Sequence, residues 1–149
     1  MKMNRSFFVK TFFILISIAA SATFTGAQSA RGEIYDHVNS AVDILTMEIK
    51  RDRELIKPAM WGNQLRKVRK TLAKDLEFKE PVAQSLTKYQ KPALDQAIKI
   101  FISTAEAERK ITKGKTVSFR LRHQAYYTLR DNIPRKQTAL RIFKNWLGN

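Results

Sequence analysis

Histidine is the side chain that most often binds metals or carries protons near neutral pH, and this sequence holds only two, His37 and His123. They lie far apart in the chain. Neither has a glutamate three residues before it, which the carboxylate-bridged di-iron bundles require. A single histidine without such neighbours is usually a surface residue or a hydrogen-bonded core residue. We therefore predict no metal site and no histidine-based catalysis.

Other arrangements that could perform catalysis are incomplete. Gly114-Lys115-Thr116 matches the end of a phosphate-binding loop, but Arg109 stands where this loop needs its first glycine. Glu106 and Glu108 are two residues apart, so on a helix they point to different faces and do not form a cooperating carboxylate pair. No serine lies in a Gly-x-Ser-x-Gly motif. We predict a protein without a cofactor that is not an enzyme.

Basic residues are the remaining candidates for function. From Arg109 to Asn149 the chain has eleven basic residues and a single acid, Asp131, whereas basic and acidic residues nearly balance between Gln28 and Glu108. This polarity predicts a surface that attracts an acidic partner, although excess charge can also serve solubility alone. The predicted partner-binding residues are Arg66, Lys70, Lys74, Arg109, Lys110, Lys113, Lys115, Arg120, Arg122 and Arg130.

The elements that position these residues are predicted to be helices. Apolar residues recur at the helical period, and no segment alternates with the period of a strand. The predicted helical segments are 33–56, 63–78, 92–111, 116–133 and 135–147.

The four prolines, Pro58, Pro81, Pro92 and Pro134, fall between or at the start of these segments, and we interpret them as helix boundaries. The predicted fold is all-α: an antiparallel up-and-down four-helix bundle with a short extra C-terminal helix.

The N-terminal segment is typical of a secretory signal peptide. Residues 1–27 begin with three basic residues and no acid, continue with an apolar run over 11–20, and end in small residues that predict cleavage after Ala27 or, alternatively, after Ala22. An uncleaved membrane anchor is the competing interpretation, but the apolar run is shorter than the roughly 20 residues that span a bilayer. Residues 28–149 are then a single basic domain, whose net charge is +12 against +15 for the whole chain.

The predicted compartment follows from export and from composition. The chain has no cysteine, which excludes disulfides and thiolate metal sites. Because small exported eukaryotic domains usually carry disulfides, this favours a bacterial periplasm or a thylakoid lumen, with the extracellular space as a further alternative.

The aromatic residues Phe119, Tyr126 and Tyr127 are interleaved with basic residues, a pattern that also suits nucleic acid because bases stack on rings and phosphates pair with arginine. Core packing is the simpler interpretation of rings at helical spacing. Export disfavours a nucleic-acid partner. The predicted partners are therefore an acidic protein surface, such as that of a membrane protein complex, or anionic lipid.

A family resemblance adds a more specific expectation. Trp61, the stretch 63–66 (Asn-Gln-Leu-Arg), Leu72, the pair 75–76 (Asp-Leu) and the pair 126–127 (Tyr-Tyr) resemble the corresponding stretches of the PsbQ family, which are extrinsic subunits of photosystem II. The resemblance covers residues 33–133. It implies a four-helix, cofactor-free, basic protein on the lumenal face that stabilises the oxygen-evolving centre without catalysis, and that docks through positive residues on its second and fourth helices.

The sequence thus supports one leading hypothesis and leaves two others open. The leading hypothesis is a non-enzymatic exported accessory subunit that docks a basic helical face on an acidic surface of a membrane protein complex. The alternatives are a secreted cationic effector or membrane-active protein, and a periplasmic holdase-type chaperone.

Overall fold

The protein is described by a computed structural model, which defines the backbone of residues 5–113 and 118–148 and the side chains of residues 31–113 and 118–148. The described residues form four α-helices and no strand. The helices are α1 (Arg5–Ala59), α2 (Gly62–Leu86), α3 (Pro92–Lys113) and α4 (Phe119–Leu147). The predicted all-α fold is confirmed. Within the described part of the chain, no helix has an apolar stretch long enough to cross a membrane.

The chain divides into two compact units, Met1–Tyr35 and Asp36–Asn149. The first unit contains the N-terminal part of α1, and the second contains the helical bundle. The predicted signal peptide, residues 1–27, lies outside the residues whose side chains are described, so it stays a prediction.

Each helix of the bundle is amphipathic, and the predicted apolar stripes are its buried faces. Val38, Ala41 and Leu45 of α1 are fully buried, and so are Leu65 and Val68 of α2. The stripes exist because side chains three and four positions apart lie on the same side of a helix. The apolar periodicity in the sequence therefore identified the core correctly.

Local signals define where α3 and α4 begin. Pro92 is the first residue of α3, a position where its missing N–H costs nothing. Ser118 is the N-cap of α4, and its hydroxyl accepts a hydrogen bond from the backbone N–H of Leu121 at 3.1 Å.

Contacts between helices show that neighbours run antiparallel. Arg69 of α2 donates to the carbonyl of Thr112 in α3 at 2.8 Å. Glu80 follows Arg69 along α2, but its partner Arg109 precedes Thr112 along α3, so the two helices run in opposite directions. A similar reversal joins α3 to α4, where the ring of Phe101 packs edge-on against the late residue Phe143 with centroids 6.3 Å apart. The turn between α1 and α2, the end of α3 and the start of α4 consequently lie at the same end of the bundle.

An apolar core lies beneath this end and draws on all four helices. Its members are Leu55, Ala59, Leu65, Val68, Leu72, Ile111, Leu121, Ala125 and Leu129. Burial of this apolar surface is the main contribution that holds the helix ends together.

The predicted extra C-terminal helix and two of the predicted proline boundaries were wrong. Helix α4 continues through Pro134, and α2 continues through Pro81. A proline removes the hydrogen bond to the carbonyl four residues earlier, which here belongs to Arg130 and Glu77. Both of these residues and both prolines are exposed, so water can hydrogen-bond the freed carbonyls and the helices do not end.

This continuity gives a first prediction. Replacing Pro134 with Ala restores one backbone hydrogen bond within a continuous helix, so we expect Pro134→Ala to stabilise the protein by about 1 to 3 kcal/mol in urea unfolding. Pro92→Ala is the control, and we expect little change there because a proline at the first helical position breaks no bond. A loss of stability in Pro134→Ala would show that α4 is interrupted at this proline.

Candidate functional site

Five charged side chains meet inside the bundle, and we call them the ionic cluster: Glu48 and Asp52 of α1, Lys79 of α2, Glu108 of α3 and Lys136 of α4. None of them is more than 3% exposed. Burying an ion away from water costs several kcal/mol unless it is paired, so the contacts within the cluster decide whether the interior can form.

Lys136 is at the centre of the ionic cluster. Its Nζ lies 2.6 Å from Asp52 Oδ2, 2.6 Å from Glu108 Oε1 and 2.9 Å from Glu48 Oε2. An ammonium group has three N–H donors, so one lysine satisfies three carboxylates and ties α4 to α1 and α3.

Lys79 makes the second set of contacts. Its Nζ donates to Glu48 Oε2 at 2.7 Å and to Glu108 Oε2 at 3.1 Å. The same ammonium lies 5.4 Å from the centroid of the Phe101 ring, within the range of a cation–π interaction. Asn132 adds a long hydrogen bond of 3.4 Å to Glu108 Oε1. Every helix of the bundle therefore contributes to the cluster.

The positions of these residues in the sequence explain why they are buried. Glu48 and Asp52 continue the apolar stripe of α1 that contains Leu45 and Leu55, and Lys136 lies three residues before the buried Ala139. The prediction that Glu106 and Glu108 face different ways is confirmed, since Glu106 is exposed and Glu108 is buried. The cluster could not be predicted from spacing within one helix, because the partners of Glu108 come from other helices.

The ionic cluster holds three carboxylates and two ammonium groups, so it carries one excess negative charge when all five are ionised. Burial raises the pKa of Asp52 to about 6, in spite of the lowering effect of Lys136. Within the described residues, Asp52 Oδ1 and Glu48 Oε1 have no hydrogen-bond partner. Asp52 therefore takes up a proton more easily than an ordinary aspartate does.

Two other members of the cluster are held in their charged forms. Burial opposes ionisation of Glu108, but Lys79 and Lys136 outweigh it and keep the pKa of that carboxyl below its ordinary value. Burial likewise opposes the charge on Lys136, yet Glu108, Glu48 and Asp52 raise the pKa of its ammonium above the ordinary range. Each of the three carboxylates is paired with a lysine ammonium group and every member is buried, so the cluster belongs to the packed interior rather than to an open reaction site.

Neither histidine has a neighbourhood typical of a metal site. His37 lies 6.0 Å from the ring of Tyr89, and His123 lies between the rings of Phe119 and Tyr127 at 4.1 and 6.0 Å. Among the residues with described side chains, no group of three or more His, Cys, Asp or Glu is arranged to hold a metal ion.

The predicted partner-binding residues are spread over three helices. On α2, Arg66, Lys70 and Lys74 are exposed and follow one another at four-residue intervals, opposite the buried stripe. On α3, Lys110 and Lys113 are exposed near the end of the helix. None of these five forms an ion pair with another described residue.

The remaining predicted residues include three that are already engaged. Arg109 pairs with Glu80 at 2.7 Å, Arg122 donates to the carbonyl of Met60 at 3.3 Å, and Arg130 pairs with Asp131 at 2.9 Å. Arg120 is exposed. Lys115 lies outside the described residues, as does the phosphate-loop-like stretch 114–116.

The bundle brings many basic residues to one end, where α1 and α3 end and α2 and α4 begin. The residues at this end, which we call the cationic end, fall in 53–70, 109–113 and 118–123, and they include one acid, Glu54. The basic residues of the cationic end are Arg53, Lys57, Arg66, Lys67, Arg69, Lys70, Arg109, Lys110, Lys113, Arg120 and Arg122.

The opposite end is almost balanced in charge. Its ranges, 36–47, 81–99 and 137–148, contain five basic residues and three acids. The polarity that the sequence shows between its two halves therefore becomes, in the folded bundle, a polarity between its two ends. Exposed like charges at close range produce a strong positive potential, which draws anionic partners at ordinary ionic strength.

Comparison with known proteins finds no match: no family model, no curated protein and no solved structure is significantly similar to this chain. The class defined by the structure is an all-α bundle with a buried ionic cluster and a cationic end. The resemblance to the PsbQ family stays a prediction.

The ionic cluster gives a second prediction. Replacing Lys136 with Met leaves three buried carboxylates with Lys79 alone, so we expect Lys136→Met to destabilise the protein by about 3 to 5 kcal/mol in urea unfolding. The control is Lys144→Met on the same helix, an exposed site where we expect a change within about 0.5 kcal/mol. Equal stability of the two variants would contradict a central role for Lys136.

The raised pKa of Asp52 gives a third prediction. Between about pH 4 and pH 6 the folded protein holds a proton on Asp52 that the unfolded chain has released, so this group makes the fold more stable as pH falls through 6. The contribution is about 2 to 3 kcal/mol, because each unit of pKa shift corresponds to about 1.4 kcal/mol. Glu108, whose pKa is lowered, acts in the opposite direction and costs stability only below its ordinary value of 4.5.

Asn at position 52 cannot ionise. We therefore expect Asp52→Asn to remove most of the pH dependence of the free energy of unfolding between pH 4 and pH 6, as measured by urea unfolding across that range. The exposed Asp43 supplies the control, since Asp43→Asn should leave the pH dependence as it is. An unchanged pH dependence in Asp52→Asn would rule out Asp52 as the titrating group.

Proposed function

We propose that this protein is a non-enzymatic, exported accessory subunit that docks its cationic end on an acidic surface of a membrane protein complex. The observation that carries the proposal is the charge of that end, whose ranges hold eleven basic residues and one acid, with Glu80 pairing to Arg109 from just outside them. Solubility alone does not require such clustering. Basic residues grouped at one end of the bundle produce a positive potential there, which attracts acidic surfaces.

The geometry of the cationic end supports docking rather than catalysis. Lys110, Lys113 and Arg120 are exposed at the ends of α3 and α4, and they have no ion-pair partner among the described residues. Charges of this kind accelerate encounter with an oppositely charged surface and select the partner, while contributing less to affinity once the complex has formed.

A finer form of the proposal follows from the resemblance to the PsbQ family. In that form the compartment is the thylakoid lumen, and the acidic surface belongs to photosystem II, which the subunit stabilises. The basic residues Arg66, Lys70 and Lys74 on α2 and Arg120 and Arg122 on α4 would then be the docking residues. A periplasmic location with another membrane complex is the alternative form.

Charge reversal at the cationic end gives the fourth prediction. We expect Lys110→Glu, Lys113→Glu and Arg120→Glu together to weaken binding to the partner complex about tenfold or more, and we expect wild-type binding to weaken with added salt. The partner is first captured by the wild-type protein from detergent-solubilised membranes of the source organism and identified by mass spectrometry. Affinities of the purified complex for each variant are then measured.

The matched control reverses three exposed lysines at the opposite end, Lys88, Lys91 and Lys99, and so makes the same change in net charge. We expect this control to bind nearly as tightly as the wild type, and helical circular dichroism should be the same in both variants. If both variants lose affinity equally, net charge rather than the cationic end determines binding. If neither loses affinity, docking through this end is refuted.

A further inference from the structure

Two large aromatic side chains are exposed at the cationic end. Trp61, in the turn between α1 and α2, is 64% exposed, and Phe119, the first residue of α4, is 66% exposed. An exposed Trp and an exposed Phe leave apolar surface in contact with water, which is unfavourable for the isolated protein. We call this pair the aromatic tip.

Contacts of Arg122 bring the two residues of the aromatic tip near each other. The guanidinium group of Arg122 lies 5.5 Å from the centroid of the Phe119 ring. The same group donates a hydrogen bond to the carbonyl of Met60, the residue directly before Trp61. Arg122 therefore links the start of α4 to the turn that carries Trp61.

Trp61 is not explained by the needs of the helix that it precedes. It occupies the N-cap of α2, where Ser, Thr, Asp or Asn would accept a hydrogen bond from the first turn, and its side chain makes no such bond. Its backbone is nevertheless well fixed, because its carbonyl accepts hydrogen bonds from the N–H groups of Gln64 and Leu65, both at 3.0 Å. The turn thus presents an indole to solvent from a rigid position.

The surroundings of the aromatic tip indicate what it contacts. An indole and a phenyl ring surrounded by lysines and arginines match the interface of a bilayer, where aromatic side chains lie among the headgroups and basic residues face anionic phosphates. Basic residues near such a surface are attracted to its anionic headgroups. An acidic protein surface would complement the charges equally well, but it would not require the exposed rings.

We propose that the aromatic tip inserts into the headgroup region of a membrane rich in anionic phospholipid, with the cationic end held against the lipid phosphates. The inference deepens the proposed function and rests on it for its setting, because a subunit docked on a membrane complex lies beside the bilayer. It assigns the rings to lipid and the basic residues to both lipid and protein.

The test measures binding to vesicles of phosphatidylcholine alone and of phosphatidylcholine mixed with phosphatidylglycerol. It uses the processed chain collected after export from an expressing bacterium. We expect sedimentation with the anionic vesicles only, and a roughly tenfold loss of binding in each of Trp61→Ala and Phe119→Ala, because each removes one large apolar group from the interface. Fluorescence of the Trp146→Phe variant, in which Trp61 is the only tryptophan, should shift to shorter wavelength on binding and be quenched by brominated lipid.

Phe78→Ala is the matched control. Phe78 is also on α2 and is 68% exposed, but it lies about 24 Å along the helix from the aromatic tip. We expect this variant to bind anionic vesicles like the wild type. An equal loss of binding in Phe78→Ala would mean that exposed aromatic residues act non-specifically.

Three outcomes would overturn the inference. One is the absence of binding to anionic vesicles, and another is sedimentation without any change in Trp61 fluorescence, which indicates adsorption by charge alone. In the third, the Trp61 and Phe119 variants keep their binding to vesicles but lose binding to a single-stranded oligonucleotide. This result would assign the aromatic tip to nucleic acid. Capture of the protein partner by the wild-type chain separates the two proposals, because a chain that captures the partner but does not bind anionic vesicles contradicts only the lipid inference.

Discussion

Five charges buried among four helices are the constraint on which the rest of this structure depends. Each helix of the bundle supplies at least one member of the ionic cluster, and Lys136 contacts three carboxylates on two other helices. Apolar residues of similar volume would often give a more stable interior, so the cluster is not explained by stability alone. Its geometry is far more selective than an apolar contact. A shift of one helix by a single turn would leave buried carboxylates unpaired. The ionic cluster therefore favours the observed register of the helices over shifted ones.

Charged side chains are arranged in opposite ways in the interior and at the cationic end. Inside, opposite charges are in contact and lie within one charge of balance, which is why a proton on Asp52 suffices to neutralise the cluster. At the cationic end, exposed like charges repel one another, and an acidic partner would relieve that repulsion. The apolar core beneath the end, which includes Leu65, Ile111 and Leu121, holds the helix ends together against the repulsion. A surface that is unfavourable in isolation and supported by a firm core is a suitable docking site.

The sequence predicted the parts of the fold that depend on one helix at a time. Stripes such as Val38, Ala41 and Leu45 repeat at the helical period, so their burial could be read directly. Pro134 misled the prediction because the sequence does not show that its freed carbonyl faces water. The ionic cluster was missed for a related reason: Glu48 and Lys136 lie far apart in the chain, and only the packing of α1 against α4 brings them together. Charge polarity was visible in the sequence, but its position at one end of the bundle required the antiparallel arrangement of the helices.

Lys136 belongs to the last helix, and this position affects when the chain can complete its interior. During synthesis, which starts at the N-terminus, Glu48 and Asp52 are made first, then Lys79 and Glu108, and Lys136 only near the end. Until α4 arrives, three carboxylates face a single ammonium group, and closing the core around them would leave buried charge uncompensated. Closing the interior is therefore costly before α4 is present, and Lys136 of the final helix removes that cost. Under the export that we propose, such a delay would keep the chain in a form that can be transported.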